Sequence, residues 1–257
     1  VFTATTSPQV FRFHQKAVKA VLGEKITEYQ RLARTGDQSF FGVGVPSING
    51  RHNPTPERKK EWHGATLGWW YHSAKDTWDK MDPENLVSDA RMYMGYALHL
   101  AGSILLPFEY VFSADEIINR LQELQKLAGE GFDLSREIKW AKAYRQRALK
   151  LRQLTDTLAQ DKPAKKMKAI LKVNECLMQV SRILTPVVST VKGKYGQDTY
   201  GLSALGKPIP ALEPVKDYVS FPAGSAQRKL LMTRLMRERN KVFDALRGVV
   251  ELIDRTL

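Results

Sequence analysis

The pattern of hydrophobic and polar positions divides the chain near residue 110. Before that point, short apolar runs alternate with amphipathic helical spacing. After it the spacing is helical almost throughout, apart from a loop rich in glycine and proline at residues 190–223. Because the first pattern is typical of α/β folds and the second of helical bundles, we expect an α/β unit over residues 1–110 and an all-α unit over residues 111–257.

The first unit is predicted to begin with a strand and a helix. Residues 2–6 have the composition of a strand, and Ser7 with Pro8 forms a helix start in which serine caps and proline takes the first helical position. Residues 42–48 are a glycine-punctuated apolar run, which predicts a buried strand beside a site. Residues 49–68 have few apolar positions and predict a polar loop.

A longer helix is predicted after Asp82, which combines an aspartate N-cap with Pro83 at the first helical position. The apolar residues that follow are spaced by three and four, as on one face of an amphipathic helix. They are Leu86, Ala90, Met94, Ala97 and Ala101.

The second unit is predicted to contain four helices. Ser113 and Glu116 form a capping box at the start of the first helix. The others are expected over residues 134–160, 163–189 and 224–257, and their succession suggests an antiparallel four-helix bundle. The last helix carries one apolar stripe, which consists of Leu231, Leu235, Val242, Leu246, Val249 and Ile253.

Composition narrows the class of protein. The chain has 257 residues, 43% hydrophobic and 26% charged, as in an ordinary soluble globular protein of one large or two modest domains. No apolar run approaches the ~20 residues that cross a bilayer, so no membrane span is predicted. The single cysteine, Cys176, rules out a disulfide framework or a cysteine-type zinc site within the chain.

The formal net charge of +13 would favour acidic partners such as nucleic acid or anionic lipid. Lysine and arginine are nevertheless spread along helix-like segments, as on solvated helix faces, so no nucleic-acid partner is predicted. The chain begins at Val1, with no initiator methionine and no signal-like segment. We expect it to be a fragment or processed subunit whose missing part offsets the charge.

Candidate chemistry is concentrated in residues 69–82, which read WWYHSAKDTWDKMD. The segment resembles the Tyr-His-Ser/Thr-x-x-Asp-Thr stretch that closes the metal site in co-catalytic zinc exopeptidases. The resemblance implies that His72 is a metal ligand, since zinc accepts a neutral imidazole nitrogen. Asp76 and Thr77 would orient the ring or the loop as neighbours of the ligand; alternatively, Asp76 caps the loop or the next helix.

Two further segments resemble the same family. Residues 35–48 fit the motif of Ser-Asp-His-x-x-Phe type and the Gly-Ile/Val-Pro strand that line the substrate pocket, which implies substrate-binding roles for Asp37, Gln38 and Phe41. Asp37 is alternatively a turn residue. Gly36 and Gln38 depart from the commoner serine and histidine, which leaves the preferred substrate open.

Residues 101–108 resemble the Ala-Asn-Ser-x-x-Leu-Pro-Phe exit from the protease domain in the glutamate carboxypeptidase and transferrin receptor branch. That branch appends a helical dimerisation domain. The resemblance therefore implies the C-terminal α/β part of a zinc-exopeptidase domain, of phosphorylase/hydrolase-like fold, over residues 1–110. An all-α four-helix-bundle dimerisation domain over residues 111–257, and hence a homodimer, is expected to follow.

The family's activity is hydrolysis of a peptide or related amide bond at two zinc ions, with a glutamate as general base. Most ligands and the base lie in the N-terminal half of family members and match nothing in this chain. We therefore expect the isolated chain to be inactive and to need a companion N-terminal segment or chain. Tyr71 would contact the substrate and stabilise the oxyanion through its hydroxyl; alternatively, it packs beside Trp69 and Trp70.

Two other functions compete with the enzyme. The first is a non-catalytic binding or scaffold protein of transferrin receptor type, and the second is a basic helical module that binds nucleic acid. His52 and His63 lie in the predicted polar loop, where they either approach a substrate carboxylate or are solvated. The compartment is not fixed by the sequence, although the resemblance favours export to the periplasm or the extracellular space.

Overall fold

The structure is a computed structural model that describes residues 2–23, 29–32, 36–160, 166–199 and 206–257. It is mostly helical, with a small mixed sheet in the N-terminal part and helices after it. This arrangement is compatible with the expected α/β region followed by helices. In the described ranges, no helix has both the length and the apolar character of a membrane span.

The sheet is built around strand β1 (Phe2–Thr6), as predicted. Helix α1 (Phe11–Leu22) follows β1, and strand β2 (Tyr29–Arg31) then pairs with β1 in parallel. Strand β3 (Ile48–His52) pairs with the other edge of β1 in antiparallel orientation. Because β1 has a neighbour on each side, it is buried along almost its whole length.

The first helix begins differently from the prediction. Pro8–Val10 form a 3₁₀ turn that leads into α1, and Ser7 makes no side-chain cap. Its hydroxyl instead accepts a hydrogen bond from the backbone N–H of Ser47 at 2.9 Å. Ser7 therefore connects the start of the helical segment to the residue just before β3.

The buried strand predicted over residues 42–48 is wrong. Gly36–Val43 form a 3₁₀ helix, and β3 begins only at Ile48. Most of β3 thus lies in the segment predicted to be a polar loop. That segment also contains helix α2 (Pro56–Glu61), which is capped by Thr55. Polar residues form this strand because it lies at the edge of the sheet, where one face is open to solvent.

Helix α3 (Pro83–Gly102) begins as predicted, because the carboxylate of Asp82 accepts the backbone N–H groups of Glu84 and Asn85 at 3.0 and 3.1 Å. Its buried residues are Met92 and Tyr96, and the helix packs against α1.

The apolar stripe predicted for α3 does not face the core. Leu86 is 51% exposed and Met94 is 63% exposed, and the three alanines of the stripe are exposed as well. The helix has apolar residues on two opposite sides, so spacing alone could not identify the buried one.

Most of the described chain after α3 is helical. Helices α4 (Val111–Ala128), α5 (Ser135–Gln160) and α6 (Met167–Val188) are followed by the short α7 (Val215–Tyr218) and by the long α8 (Ala226–Thr256). The long helices share one apolar core. The stripe predicted for α8 is confirmed, since all of its members are buried except Leu231, which is partly buried.

The capping box predicted at Ser113 is wrong. Helix α4 already begins at Val111, whose N–H donates to the Glu109 carboxylate at 2.6 Å, so Ser113 lies buried within the first turn. Glu116 pairs with Arg31 of β2 instead of completing a cap. The helix start predicted at residue 163 lies outside the described residues.

Buried polar side chains join the sheet region to the helices. The Gln9 side-chain amide donates to the hydroxyls of Ser181 and Thr185 on α6, at 3.1 and 3.2 Å. Ser181 in turn donates to the backbone carbonyl of Gly44 at 2.7 Å. These hydrogen bonds exist only while α6 stays against the N-terminal part.

An ion pair adds to this connection. Arg31 of β2 lies 2.8 Å from the carboxylate of Glu116 on α4 and also donates to the Ser189 hydroxyl at 2.7 Å. Burial raises the pKa of Glu116, and the nearby guanidinium opposes that shift. Removing one partner of such a pair leaves a buried charge uncompensated. We call Gln9, Arg31, Gly44, Glu116, Ser181 and Thr185 together the seam.

A buried histidine in α1 predicts how stability depends on pH. His14 is fully buried, and its Nε2 lies 3.0 Å from the Tyr96 hydroxyl. Burial lowers the pKa of His14 to about 4. Because an unfolded histidine titrates near pH ~6.5, the unfolded state binds more protons between these two values. The contribution of neutral His14 to the free energy of unfolding is therefore complete above pH ~6.5. It falls as the pH drops towards 4.

We expect the free energy of unfolding to lose about 3 kcal/mol through this residue between neutral pH and pH ~4. Urea denaturation at a series of pH values measures the loss. His14→Gln should remove this pH-dependent loss of stability. His63→Gln, at an exposed histidine, should leave the loss unchanged. An unchanged pH slope in His14→Gln would contradict the assignment.

Candidate functional site

The motif over residues 69–82 forms a surface loop between α2 and α3. It consists of successive turns, closed by hydrogen bonds such as Ser73 N–H to the Trp70 carbonyl at 3.0 Å and Asp76 N–H to the Ser73 carbonyl at 3.1 Å. A short 3₁₀ helix, Trp78–Lys80, precedes the cap of α3. Most side chains of the loop are exposed and therefore accessible to another molecule.

His72 is exposed and has a φ of 62°, in the left-handed region. Few residues other than glycine adopt this conformation, although histidine is enriched among those that do. Its ring stacks on the ring of Tyr71, with centroids 3.8 Å apart and planes 23° apart. Neither ring nitrogen hydrogen-bonds to a residue that the structure describes, so the imidazole is able to serve as a ligand.

Tyr71 is 47% exposed, and among the ring pairs of the described residues it has none with Trp69 or Trp70. Trp70 instead contacts Trp62 and Trp69, with ring centroids 4.9 and 5.7 Å away. Tyr71 stacks only on His72 among the described ring pairs. Its exposure leaves the phenol accessible to a molecule that contacts the loop.

Asp76 and Thr77 are exposed, and the Thr77 hydroxyl donates to the Asp79 carboxylate at 2.5 Å. Within the described part of the chain, neither Asp76 nor Thr77 hydrogen-bonds to the His72 ring. The Thr77 contact stabilises the loop itself, and the roles of both residues in orienting the ligand stay predictions.

A metal site would need donors beyond His72. Among the described residues, no three His, Cys, Asp or Glu side chains are grouped closely enough to hold a metal ion. The exposed imidazole of His72 fits zinc as a single donor, because neutral nitrogen is a preferred zinc ligand.

The predicted substrate-binding residues lie in or beside the 3₁₀ helix Gly36–Val43. The side chains of Asp37 and Gln38 lie outside the described part of the structure. Phe41 is only 3% exposed. The residues that follow it, at positions 42–46, line a cavity of about 810 Å³ against α6.

The cavity has an apolar lining with cationic groups. Arg182 of α6 and Lys194 of the next loop line it, and acidic side chains are absent from its described lining. Such a cavity favours an anionic group attached to an apolar body. Its apolar walls are formed by Val43, Val45, Phe108, Met178 and Ile183.

The loop that carries Lys194 is held by its own hydrogen bonds. The carboxylate of Asp198 accepts the N–H groups of Val191 and Lys192, both at 2.9 Å, and Gly193 N–H donates to the Thr190 hydroxyl at 2.8 Å. Sequence reasoning missed this side of the cavity. The one signal was a single cation, Arg182, in a largely apolar stretch of helix.

Comparison of the chain with protein-family models and with curated proteins finds no match to either. The relation to zinc exopeptidases therefore stays a hypothesis, carried by the motifs at residues 35–48, 69–82 and 101–108.

Gly44 sets the distance between the cavity segment and α6. Its φ is 81°, and a Cβ there would lie 2.4 Å from the Cα of Arg182. Gly23 is a matched control, with a φ of 69° and open space around it. Gly23→Ala should cost about 1 kcal/mol from backbone strain alone.

Gly44→Ala should be destabilising by at least about 2 kcal/mol more, because backbone atoms must move apart. The midpoints of urea denaturation of both variants measure the difference. Equal losses in the two variants would show that the close approach of Gly44 to α6 does not constrain the fold.

Proposed function

We propose that the chain is part of a dinuclear-zinc exopeptidase or related amidohydrolase, to which it contributes His72 as a metal ligand. The observation that carries the proposal is the exposed imidazole in a left-handed backbone conformation, inside a Tyr-His-Ser-x-x-Asp-Thr motif. Strained residues of this kind cluster at functional sites. The complete site would hold two zinc ions.

Such a zinc pair, when bound, supplies Lewis-acid activation of water for attack on the amide carbonyl. His72 donates a nitrogen lone pair. Tyr71 would donate a hydrogen bond from its hydroxyl to the oxyanion that develops from the carbonyl oxygen. The stacking of the two rings supports this division of roles, because it keeps the ligand and the donor side by side.

The cavity beside residues 42–46 supports substrate binding by the segment that contains Asp37, Gln38 and Phe41. Its cations, Arg182 and Lys194, attract a carboxylate of a peptide or related amide. Burial of Phe41 gives it a supporting role beneath the cavity wall.

A companion segment or chain supplies the remaining ligands and the general base in this scheme, so the isolated chain is inactive. The outer face of α3 supports such a partner. Met94 is exposed there, and Leu98 is 71% exposed. Apolar surface of this kind marks protein contacts, and α3 directly follows the loop with His72.

The helices α4, α5, α6 and α8 act as a four-helix-bundle dimerisation domain in this proposal, and the protein is a homodimer. Exposed apolar residues on the outside of α6 and α8 support this arrangement. They are Met167, Leu171, Leu230 and Met236.

The alternative is a non-catalytic binding or scaffold protein of transferrin receptor type. One observation favours it: Asp76 and Thr77 do not orient the His72 ring among the contacts that the structure describes. Zinc content separates the two functions, since the enzyme holds about two ions per protomer and the scaffold none.

His72→Ala in the complete protein, companion included, should lower the zinc content and abolish peptidase activity, because one ligand is lost. His63→Ala is a matched control, since His63 is also exposed and left-handed, with a φ of 50°. Elemental analysis and a peptide hydrolysis assay measure both effects. Full zinc content in His72→Ala would refute the ligand assignment.

Tyr71→Phe removes the hydroxyl and keeps the ring that stacks on His72. In the complete enzyme kcat should fall about a hundredfold to a thousandfold, with little change in KM, because an oxyanion donor acts in the transition state. Trp69→Phe, in the same loop, should leave kcat unchanged. Steady-state kinetics on one peptide substrate decide, and an unchanged kcat in Tyr71→Phe would exclude its catalytic role.

A further inference from the structure

A second cavity, of about 640 Å³, lies where the end of β3, helix α2 and the start of α3 meet. Its lining includes two aromatic side chains, Trp62 and Trp70. It also includes the polar side chains of His52, Asn53 and Asn85. This combination differs from the cationic cavity beside α6.

The aromatic part of the lining is rigidly built. The rings of Trp62 and Trp70 contact each other edge to face, with centroids 4.9 Å apart and planes 74° apart, and both are partly buried. Gly68 makes room for Trp70, since a Cβ at that position would lie 2.5 Å from the indole. Flat apolar faces are thus held at the cavity while part of each ring stays accessible.

Most polar and charged groups that line the cavity already have partners. His52 Nδ1 lies 2.7 Å from the Asp89 carboxylate, and Arg58 lies 3.2 Å from that of Glu61. The Asp82 carboxylate, also in the lining, accepts the backbone N–H groups of Glu84 and Asn85 at the start of α3. Lys80 contacts the carboxylate of its neighbour Asp79. A phosphate or a quaternary ammonium group binds through an excess of opposite charge, whereas the lining balances two cations, Arg58 and Lys80, with two carboxylates, Asp79 and Asp82.

Hydrogen-bonding capacity is nevertheless present. Asn53 donates to the Thr3 hydroxyl at 2.7 Å and Asn85 to the Asp82 carboxylate at 3.0 Å, each through its amide nitrogen. A side-chain amide has two donors and a carbonyl acceptor, so each keeps further capacity. Since Nδ1 of His52 faces Asp89, the imidazole contributes its second nitrogen.

We propose that this cavity binds a neutral sugar ring. The C–H face of a pyranose packs on an indole, and its hydroxyls hydrogen-bond to Asn53, Asn85 and His52. A ring of this kind matches both kinds of lining side chain: it is apolar on its faces, polar around its edge and uncharged. The proposal does not depend on the proposed zinc chemistry, although Trp70 belongs to the same loop as His72.

Saturation-transfer difference NMR and calorimetric titration of the 257-residue chain test the proposal. The probes are methyl β-glucopyranoside, methyl β-galactopyranoside and N-acetylglucosamine, each to about 20 mM. At least one should bind with a dissociation constant of the order of 1 mM, with saturation strongest on one ring face. Absence of binding by all three, or tighter binding of inorganic phosphate or choline, would overturn the proposal.

Variants locate the bound sugar. Trp70→Ala should weaken binding about tenfold or more, because the stacking surface is lost. Trp78→Ala is the matched control, since Trp78 belongs to the same segment, is 82% exposed and lies outside the lining. Asn85→Ala, at the exposed start of α3, should weaken binding about fivefold and serves if Trp70→Ala does not fold. Unaltered affinity in the lining variants would place the sugar elsewhere.

Discussion

The fold depends on the buried amide of Gln9, which donates to two hydroxyls of α6, Ser181 and Thr185. Buried polar groups are stable only when they are hydrogen-bonded, so these residues require the N-terminal part and α6 to remain together. Ser181 also donates a hydrogen bond to the carbonyl of Gly44, which lines the cationic cavity, and so connects α6 to that segment. The seam therefore fixes both the orientation of the sheet region and the shape of the cavity.

Sequence predicted the elements whose signals are local. Asp82 caps α3 through backbone groups two and three residues away, and the stripe on α8 is buried as its spacing indicated. The strand predicted at residues 42–48 was wrong because the conformation of this segment is set by contact with α6, which is distant in sequence. The capping role predicted for Glu116 was wrong for the same reason, since Glu116 forms an ion pair with Arg31 of β2.

The candidate sites also differ in how much of them the sequence could predict. The motif singled out His72 and Tyr71 as a ligand and an oxyanion donor, and the structure places both on an exposed loop of local turns. The cavities were not predictable, because their walls come from separate segments: Arg182 faces residues 42–46 in one, and Trp70 lies near the end of β3 in the other. Pairwise contacts of this kind leave no periodic pattern in a single sequence.

Hydrogen exchange tests most directly whether the seam unites the sheet region and the helices into one structural unit. The amides of β1 and α6 should exchange with the same opening free energy, because neither part can open while the other stays closed. Gln9→Ala should lower both values together, by about 1–3 kcal/mol, since it removes two buried hydrogen bonds to α6. Much faster exchange in β1 than in α6 of the unaltered protein would contradict the account.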